Sequence, residues 1–166
     1  MNIVLIGMPG VGKSTIGVVL AKNMGFHFMD SDLVIQQETG KLLHEIIEEK
    51  GAEGFLQVED EINAFINVDK TIIATGGSAV YGEKAMKHLK ENGIVIYLSL
   101  PLEELSERLG DLNARGVAMK EGQNLASLLE ERAPLYEQYS DILIDCHNKQ
   151  IREIVAELAT ILREKM

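Results

Sequence analysis

The sequence predicts an α/β fold: a five-stranded parallel sheet flanked by helices. Three observations carry that prediction. Five short apolar runs alternate with helical patterns along the whole chain, the order that successive βα units impose. The first run leads at once into a glycine-rich loop and then a helix, the arrangement in which a phosphate-binding α/β unit begins. The 166 residues, 46% hydrophobic and 25% charged, suffice for one soluble domain with its own core.

The first strand is read at 3–6, within the run Asn2-Ile3-Val4-Leu5-Ile6. Its apolar residues do not alternate with polar ones, so both faces are expected to be buried. A helix follows over 14–24, clearest from Ile16 onward, and Gly25 is its stop signal. The second strand is 26–29, and a long helical insert, about 31–66, separates it from the third strand at 71–74. Then come a helix at 82–92, a strand at 94–98, helices at 101–110 and 124–138, and a strand at 142–145. An amphipathic helix from Gln150 to Arg163 closes the chain. No repeat, low-complexity tract or linker divides these elements, so 1–166 reads as a single domain. The polar segment 110–124, with Gly110, Asn113, Arg115, Gly116, Gly122 and Asn124, exceeds what the scaffold needs. Such segments are often lids over a site, although an ordinary surface loop has the same composition.

A net charge of −10 argues against nucleic acid or an anionic membrane as partner, because both require a basic surface. Lys13, Arg108, Arg115 and Arg132 are then local cations in an acidic protein, suited to small anionic ligands. No apolar run approaches the roughly 18 residues of a membrane span. The N-terminus enters a strand without a basic leader, and the expected location is cytoplasmic. The single cysteine, Cys146, follows the run Ile142-Leu143-Ile144 and reads as a buried structural thiol. His27, His44, His88 and His147 show no metal-ligand spacing and read as surface or packing residues.

The chemistry starts at Gly7-Met8-Pro9-Gly10-Val11-Gly12-Lys13-Ser14-Thr15, which fits the P-loop pattern G-x-x-x-x-G-K-[ST]. Polyphosphate concentrates negative charge, and backbone N–H groups of such a loop turn inward around it, backed by the positive end of the next helix. The phosphate-binding set is Gly10, Val11, Gly12, Lys13, Ser14 and Thr15. Lys13 can reach the β- and γ-phosphates, and the Ser14 hydroxyl can coordinate Mg²⁺. Asp30-Ser31-Asp32 follows the second strand, at the end of the sheet where ligands of open α/β folds bind. Carboxylates there can hold Mg²⁺ or deprotonate an attacking hydroxyl, and can equally cap a helix. Thr75-Gly76-Gly77-Ser78 follows the third strand, where adjacent glycines let a substrate approach the backbone. Phosphoryl transfer also needs cations over the developing charge, a task for arginine.

Together these motifs resemble the shikimate kinase family of P-loop kinases. The resemblance rests on GMPGVGKST, on Asp30-Ser31-Asp32 and on Thr39-Gly40. It continues through Gly54-Phe55, Glu59, Gly76-Gly77, Arg115 and Arg132 with Pro134-Leu135-Tyr136, in order along nearly the whole chain. It implies strand order 2-3-1-4-5, with a substrate-binding insert and a lid. The implied activity is transfer of the ATP γ-phosphoryl to the 3-hydroxyl of shikimate, and the chain is expected to be a monomer. Lys13, Asp32 and Arg115 would be catalytic, with Asp32 as base and Arg115 crossing from the lid to the phosphates. Arg108 would pack near the adenine. Asp32, Gly76, Gly77 and Arg132 would bind the acceptor, Arg132 through its carboxylate. Ser14, and Asp30 through water, would bind Mg²⁺.

The departures fall on the acceptor side. Leu56 stands where the family has an Arg that grips the shikimate carboxylate, and Ser78 replaces the third glycine of a triple. The lid reads Arg115-Gly116-Val117-Ala118 instead of Arg-Pro-Leu-Leu. Two alternatives therefore stand beside shikimate: the same chemistry on another polyol or hydroxy acid, and a nucleotide-binding module without phosphotransfer.

Overall fold

The computed structural model describes residues 1–109 and 117–166. Its elements are β1 (Asn2–Ile6), α1 (Lys13–Met24), β2 (His27–Asp30), α2 (Ser31–Thr39), α3 (Leu43–Ala64) and β3 (Thr71–Ala74). A 3₁₀ turn at Ala79–Tyr81 precedes α4 (Glu83–Glu91), β4 (Gly93–Ser99), α5 (Leu102–Arg108), α6 (Leu125–Tyr139), β5 (Ile142–Asp145) and α7 (Ile151–Lys165). The strands form one sheet in the order β2-β3-β1-β4-β5, every neighbouring pair parallel. Fold class and strand order are those expected.

β1 sits at the centre because its residues can be buried on both faces. Ile3, Val4, Leu5 and Ile6 are fully buried, and Val4 lies in register with Ile73 of β3 and Val95 of β4. β5 is an edge strand and alternates: Ile142 and Ile144 face the core while Leu143 is 52% exposed. The apolar stripe of α7, Ile154, Val155, Leu158, Ala159 and Leu162, packs inward, with α1 as its neighbour. Among the described residues no helix is long and apolar enough to cross a membrane.

The insert differs from the continuous helix expected over 31–66. α2 stops at Gly40, which adopts the left-handed conformation (φ 69°) and turns its N–H onto the Gln36 carbonyl. α3 begins anew after Leu42, whose N–H is capped by the Glu45 carboxylate at 2.8 Å. It kinks at Gly51, with φ 75° and ψ 175°, a conformation open essentially to glycine alone. Smaller shifts have similarly local causes. β2 starts at His27, one residue late, because its ladder with β3 runs from His27↔Thr71 to Asp30↔Ala74. α5 ends at Arg108, short of 110, with Leu109 donating its N–H to the Leu105 carbonyl. Ile35, Ile46 and Phe55 of the insert form, with Ala118 from the segment before α6, a small apolar cluster distinct from the main core around the sheet.

Candidate active site

Three loops leave the carboxyl edge of the sheet side by side, one each from β1, β2 and β3. They wall a cavity of about 310 Å³. Its floor is Pro9, Gly10, Gly12, Lys13, Ser14 and Thr15; its sides carry Asp30, Asp32, Gly76, Gly77, Ser78 and Arg132; Leu43, Phe55, Val117 and Ala118 supply an apolar wall.

The P-loop has the geometry its glycines predict. Gly10 (φ 86°) and Gly12 (φ 103°) occupy conformations that a side chain would strain. The Lys13 ammonium donates to the carbonyls of Gly7 at 2.7 Å and Met8 at 2.9 Å. Burial depresses its pKa from 10.5 to about 8, against the opposing pull of Asp32. Val11 is the one member of the expected phosphate set that does not reach the cavity. Its side chain is buried in the core and its N–H points to the Met8 carbonyl, 3.3 Å away.

The Asp30 carboxylate caps a helix and meets the P-loop serine. One oxygen caps α2 by accepting the Asp32 N–H at 2.9 Å, and the other accepts the Ser14 hydroxyl at 2.8 Å. A hydroxyl and a carboxylate oxygen held together beside a phosphate loop form a donor set that suits Mg²⁺, a hard cation that keeps waters and takes few protein oxygens. The Asp32 carboxylate accepts no hydrogen bond from any described side chain. It lies over the α-carbon of Gly76, so closely that a Cβ there would sit 2.6 Å from Asp32 Oδ1. Burial first, and Asp30 second, raise its pKa to about 6, partly offset by Lys13. It is therefore mostly ionised at neutral pH and still basic enough to take a proton.

Arg132 comes from α6, which continues through Pro134. The residue is 1% exposed, and its guanidinium carbon lies 5.4 Å from the Tyr81 ring centroid. It donates to the Ala118 carbonyl at 2.8 Å and, more weakly, to the Tyr81 hydroxyl at 3.4 Å. Among the described residues no carboxylate is within ion-pair distance of it. A buried, unpaired cation on a cavity wall is costly unless an anion completes it. Gly77 lets it approach: a Cβ there would stand 3.1 Å from Arg132 Nη1 and 2.7 Å from Pro9.

Other expected residues lie elsewhere. Arg108 does not line the cavity; it donates to the Val11 carbonyl at 3.2 Å and the Gly10 carbonyl at 3.4 Å. Arg115 lies outside the described residues. Leu56 does not line the cavity; it packs on the insert's own apolar cluster. Cys146 is buried, and burial pushes its thiol up to about 11, as fits a packing role.

Sequence reasoning assigned no role to Glu59. It is 2% exposed, and its Oε1 accepts the Ser78 hydroxyl at 2.7 Å while Oε2 is buried without a partner. Burial raises its pKa to about 8, with Ser78 opposing and Asp32 adding. A signal was available: Phe55, Glu59 and Asn63 recur every four residues along α3 and are all buried, so a carboxylate sits on the helix face turned inward.

Compared with known proteins, the chain matches the shikimate kinase family over residues 9–163. It is 37% identical over 163 residues to the shikimate kinase of Persephonella marina, spanning 98% of this chain and 99% of that one. It is 35% identical over 168 residues to the shikimate kinase of Francisella tularensis subsp. novicida, spanning 99% and 96%. The solved structure of shikimate kinase from Acinetobacter baumannii in complex with shikimate is similar at a TM-score of 0.87 and 31% identity, covering 99% of this chain and 93% of that one.

Proposed function

Because the chain belongs to the shikimate kinase family, we propose that it transfers the γ-phosphoryl group of ATP to the 3-hydroxyl of shikimate. One observation carries this reading. A single cavity joins a phosphate loop to an uncommitted carboxylate, Asp32, and a buried, unpaired guanidinium, Arg132. That is a receptor for a molecule bearing a hydroxyl at one end and a carboxylate at the other.

In this reading the N–H groups of the P-loop and the Lys13 ammonium hold the phosphates. Lys13 leaves the carbonyls of Gly7 and Met8 to do so and stabilises charge on the transferring group. Asp32 accepts the proton of the attacking hydroxyl as the new O–P bond forms and the bond to the β-phosphate oxygen breaks, releasing ADP. Arg132 and the Gly76-Gly77 turn hold the carboxylate end and aim the hydroxyl. Ser14 and Asp30 would hold Mg²⁺, which when bound neutralises charge on the β- and γ-phosphate oxygens. Arg115 would reach the phosphates from a lid at about 110–124, and Arg108 would stand on the adenine side. The whole chain, 1–166, acts as one kinase domain whose insert, about 31–66, shapes the acceptor half. A cavity walled within one chain favours a monomer. The net charge of −10 favours small molecules over nucleic acid and anionic membranes as partners, and a cytoplasmic location belongs to the same reading.

The test is ADP release from Mg-ATP with shikimate and with a panel of other hydroxy acids and polyols. Shikimate-dependent release is expected, and its absence would overturn the assignment.

A further inference from the structure

Ser78 and Glu59 form a pair on the acceptor wall that the reaction described above does not use. Ser78 is 6% exposed yet lines the cavity, and its hydroxyl meets Glu59 Oε1 at 2.7 Å. Glu59 stands behind it, its other oxygen sealed from solvent and bonded to nothing. The residue before Ser78, Gly77, is the one against which Arg132 Nη1 rests. Ser78 and Arg132 therefore flank the same short stretch of wall.

A serine hydroxyl carries one hydrogen and two lone pairs, so the direction of the Ser78–Glu59 bond depends on whether the glutamate holds a proton. An ionised Glu59 takes the serine hydrogen for itself. A neutral Glu59 donates its own O–H to Ser78 Oγ, and the serine hydrogen is then free to turn into the cavity. Burial holds the Glu59 carboxyl up to about 8, so the neutral form prevails at pH 7. That form also relieves the sealed site of a buried anion that has no ion-pair contact among the described residues.

We propose that Ser78 is a second contact for the acceptor's carboxylate and that Glu59 is the positioning residue behind it. The Glu59 O–H donates to Ser78 Oγ, and the Ser78 O–H donates into the cavity beside Arg132. This arrangement supplies, from the turn after β3, a donor that Leu56 cannot offer. The inference rests on shikimate, or an acceptor with the same carboxylate, being the substrate.

Initial rates of the purified chain with saturating Mg-ATP and varied shikimate, from pH 6.5 to 9, test it. At pH 7, Ser78→Ala and Ser78→Gly should each raise the shikimate KM about tenfold or more, the value of one hydrogen bond to a charged group. kcat and the ATP KM should stay within about twofold. The wild-type shikimate KM should climb roughly tenfold by pH 9, one unit above the Glu59 pKa, as the carboxylate reclaims the serine hydrogen. Glu59→Gln, whose amide donates to Ser78 Oγ and does not titrate, should give a KM flat with pH whatever its level. The charged groups facing Glu59 are Lys13, Asp32 and Arg132 from other elements and Asp60 on its own helix. All remain in Glu59→Gln, so the difference between the two profiles belongs to Glu59. Thermal unfolding, with and without ATP, identifies any variant that fails to fold, and the Glu59→Gln profile needs no change at Ser78. A merely structural pair would lower thermal stability in the Ser78 variants and leave the shikimate KM and its pH dependence unmoved, which would overturn the inference. Absence of shikimate-dependent turnover in the wild type would instead overturn the assigned function, and this contact with it.

Discussion

Replacing Arg132 with methionine, which keeps much of the volume and removes the charge, separates a receptor cation from a structural one. In the protein without ligands the guanidinium makes one good hydrogen bond, 2.8 Å to the Ala118 carbonyl, and one long one to Tyr81. Losing the first costs about 1 kcal/mol. Removing a buried charge that has no partner carboxylate returns a comparable or larger desolvation cost. Stability without ligand should therefore move little, by about 2 kcal/mol at most in either direction, whereas most buried large side chains cost more when truncated. Binding should behave differently. A carboxylate paired bidentately to Arg132 makes two charged hydrogen bonds of about 1.5–3 kcal/mol each. Their loss corresponds to roughly a hundredfold to ten-thousandfold in affinity. The carboxylate is remote from the transferred group, so the loss should appear in the shikimate KM and not in kcat. Steady-state kinetics and thermal unfolding with and without shikimate read both quantities. A shikimate KM within threefold of wild type, combined with a large fall in the unfolding temperature, would show that Arg132 holds the fold together and receives nothing.

The other predictions concern each wall of the cavity. Lys13→Ala should abolish most turnover while leaving the fold intact, and equal turnover in the mutant would end the P-loop kinase reading. The Lys13 pKa of about 8 lies below its ordinary 10.5, so between those values the unfolded chain holds a proton that the folded one lacks; stability without ligand should rise with pH across that window. Bound phosphates should restore the charge, so ATP binding at pH 8.5–9 should take up a proton, measurable by calorimetry in buffers of differing ionisation enthalpy and lost in Lys13→Ala. Gly76→Ala would place a Cβ 2.6 Å from Asp32 Oδ1 and displace the base, so turnover should fall tenfold or more while the thermal shift with ATP persists. Leu56→Arg should lower the shikimate KM about tenfold, because Leu56 follows the cavity-lining Phe55 in α3 and packs on the cluster that contains it, within reach for a longer cationic side chain; an unchanged KM would mean that position 56 does not face the acceptor.

What could be read from the sequence was whatever depends on neighbours in the chain. The P-loop is legible because its glycines, lysine and serine are consecutive, and β1 because burial on both faces leaves an unbroken apolar run. The kink in α3 was not legible. Glu48-Glu49-Lys50 and Ala52-Glu53 are good helix formers on either side of Gly51, and only the observed φ of 75° shows that this glycine turns the chain. Ser78 and Glu59, nineteen residues apart, acquire meaning only when α3 is laid against the turn after β3. The direction of the Val11 N–H was not legible either: motif membership does not say where one backbone N–H points when Met8, three residues before it, offers a carbonyl.

The insert's separate apolar cluster has a consequence for how this protein can change over generations. Ile35, Ile46, Phe55 and Ala118 pack with one another and not with the sheet core. Substitutions in the two clusters should therefore add nearly independently, without the coupling seen between residues that share partners. A lineage can then rebuild the wall against which the acceptor lies while the nucleotide half keeps its foundations. The departure at Leu56, which packs on that cluster, set against an unaltered P-loop, is the kind of divergence such insulation permits.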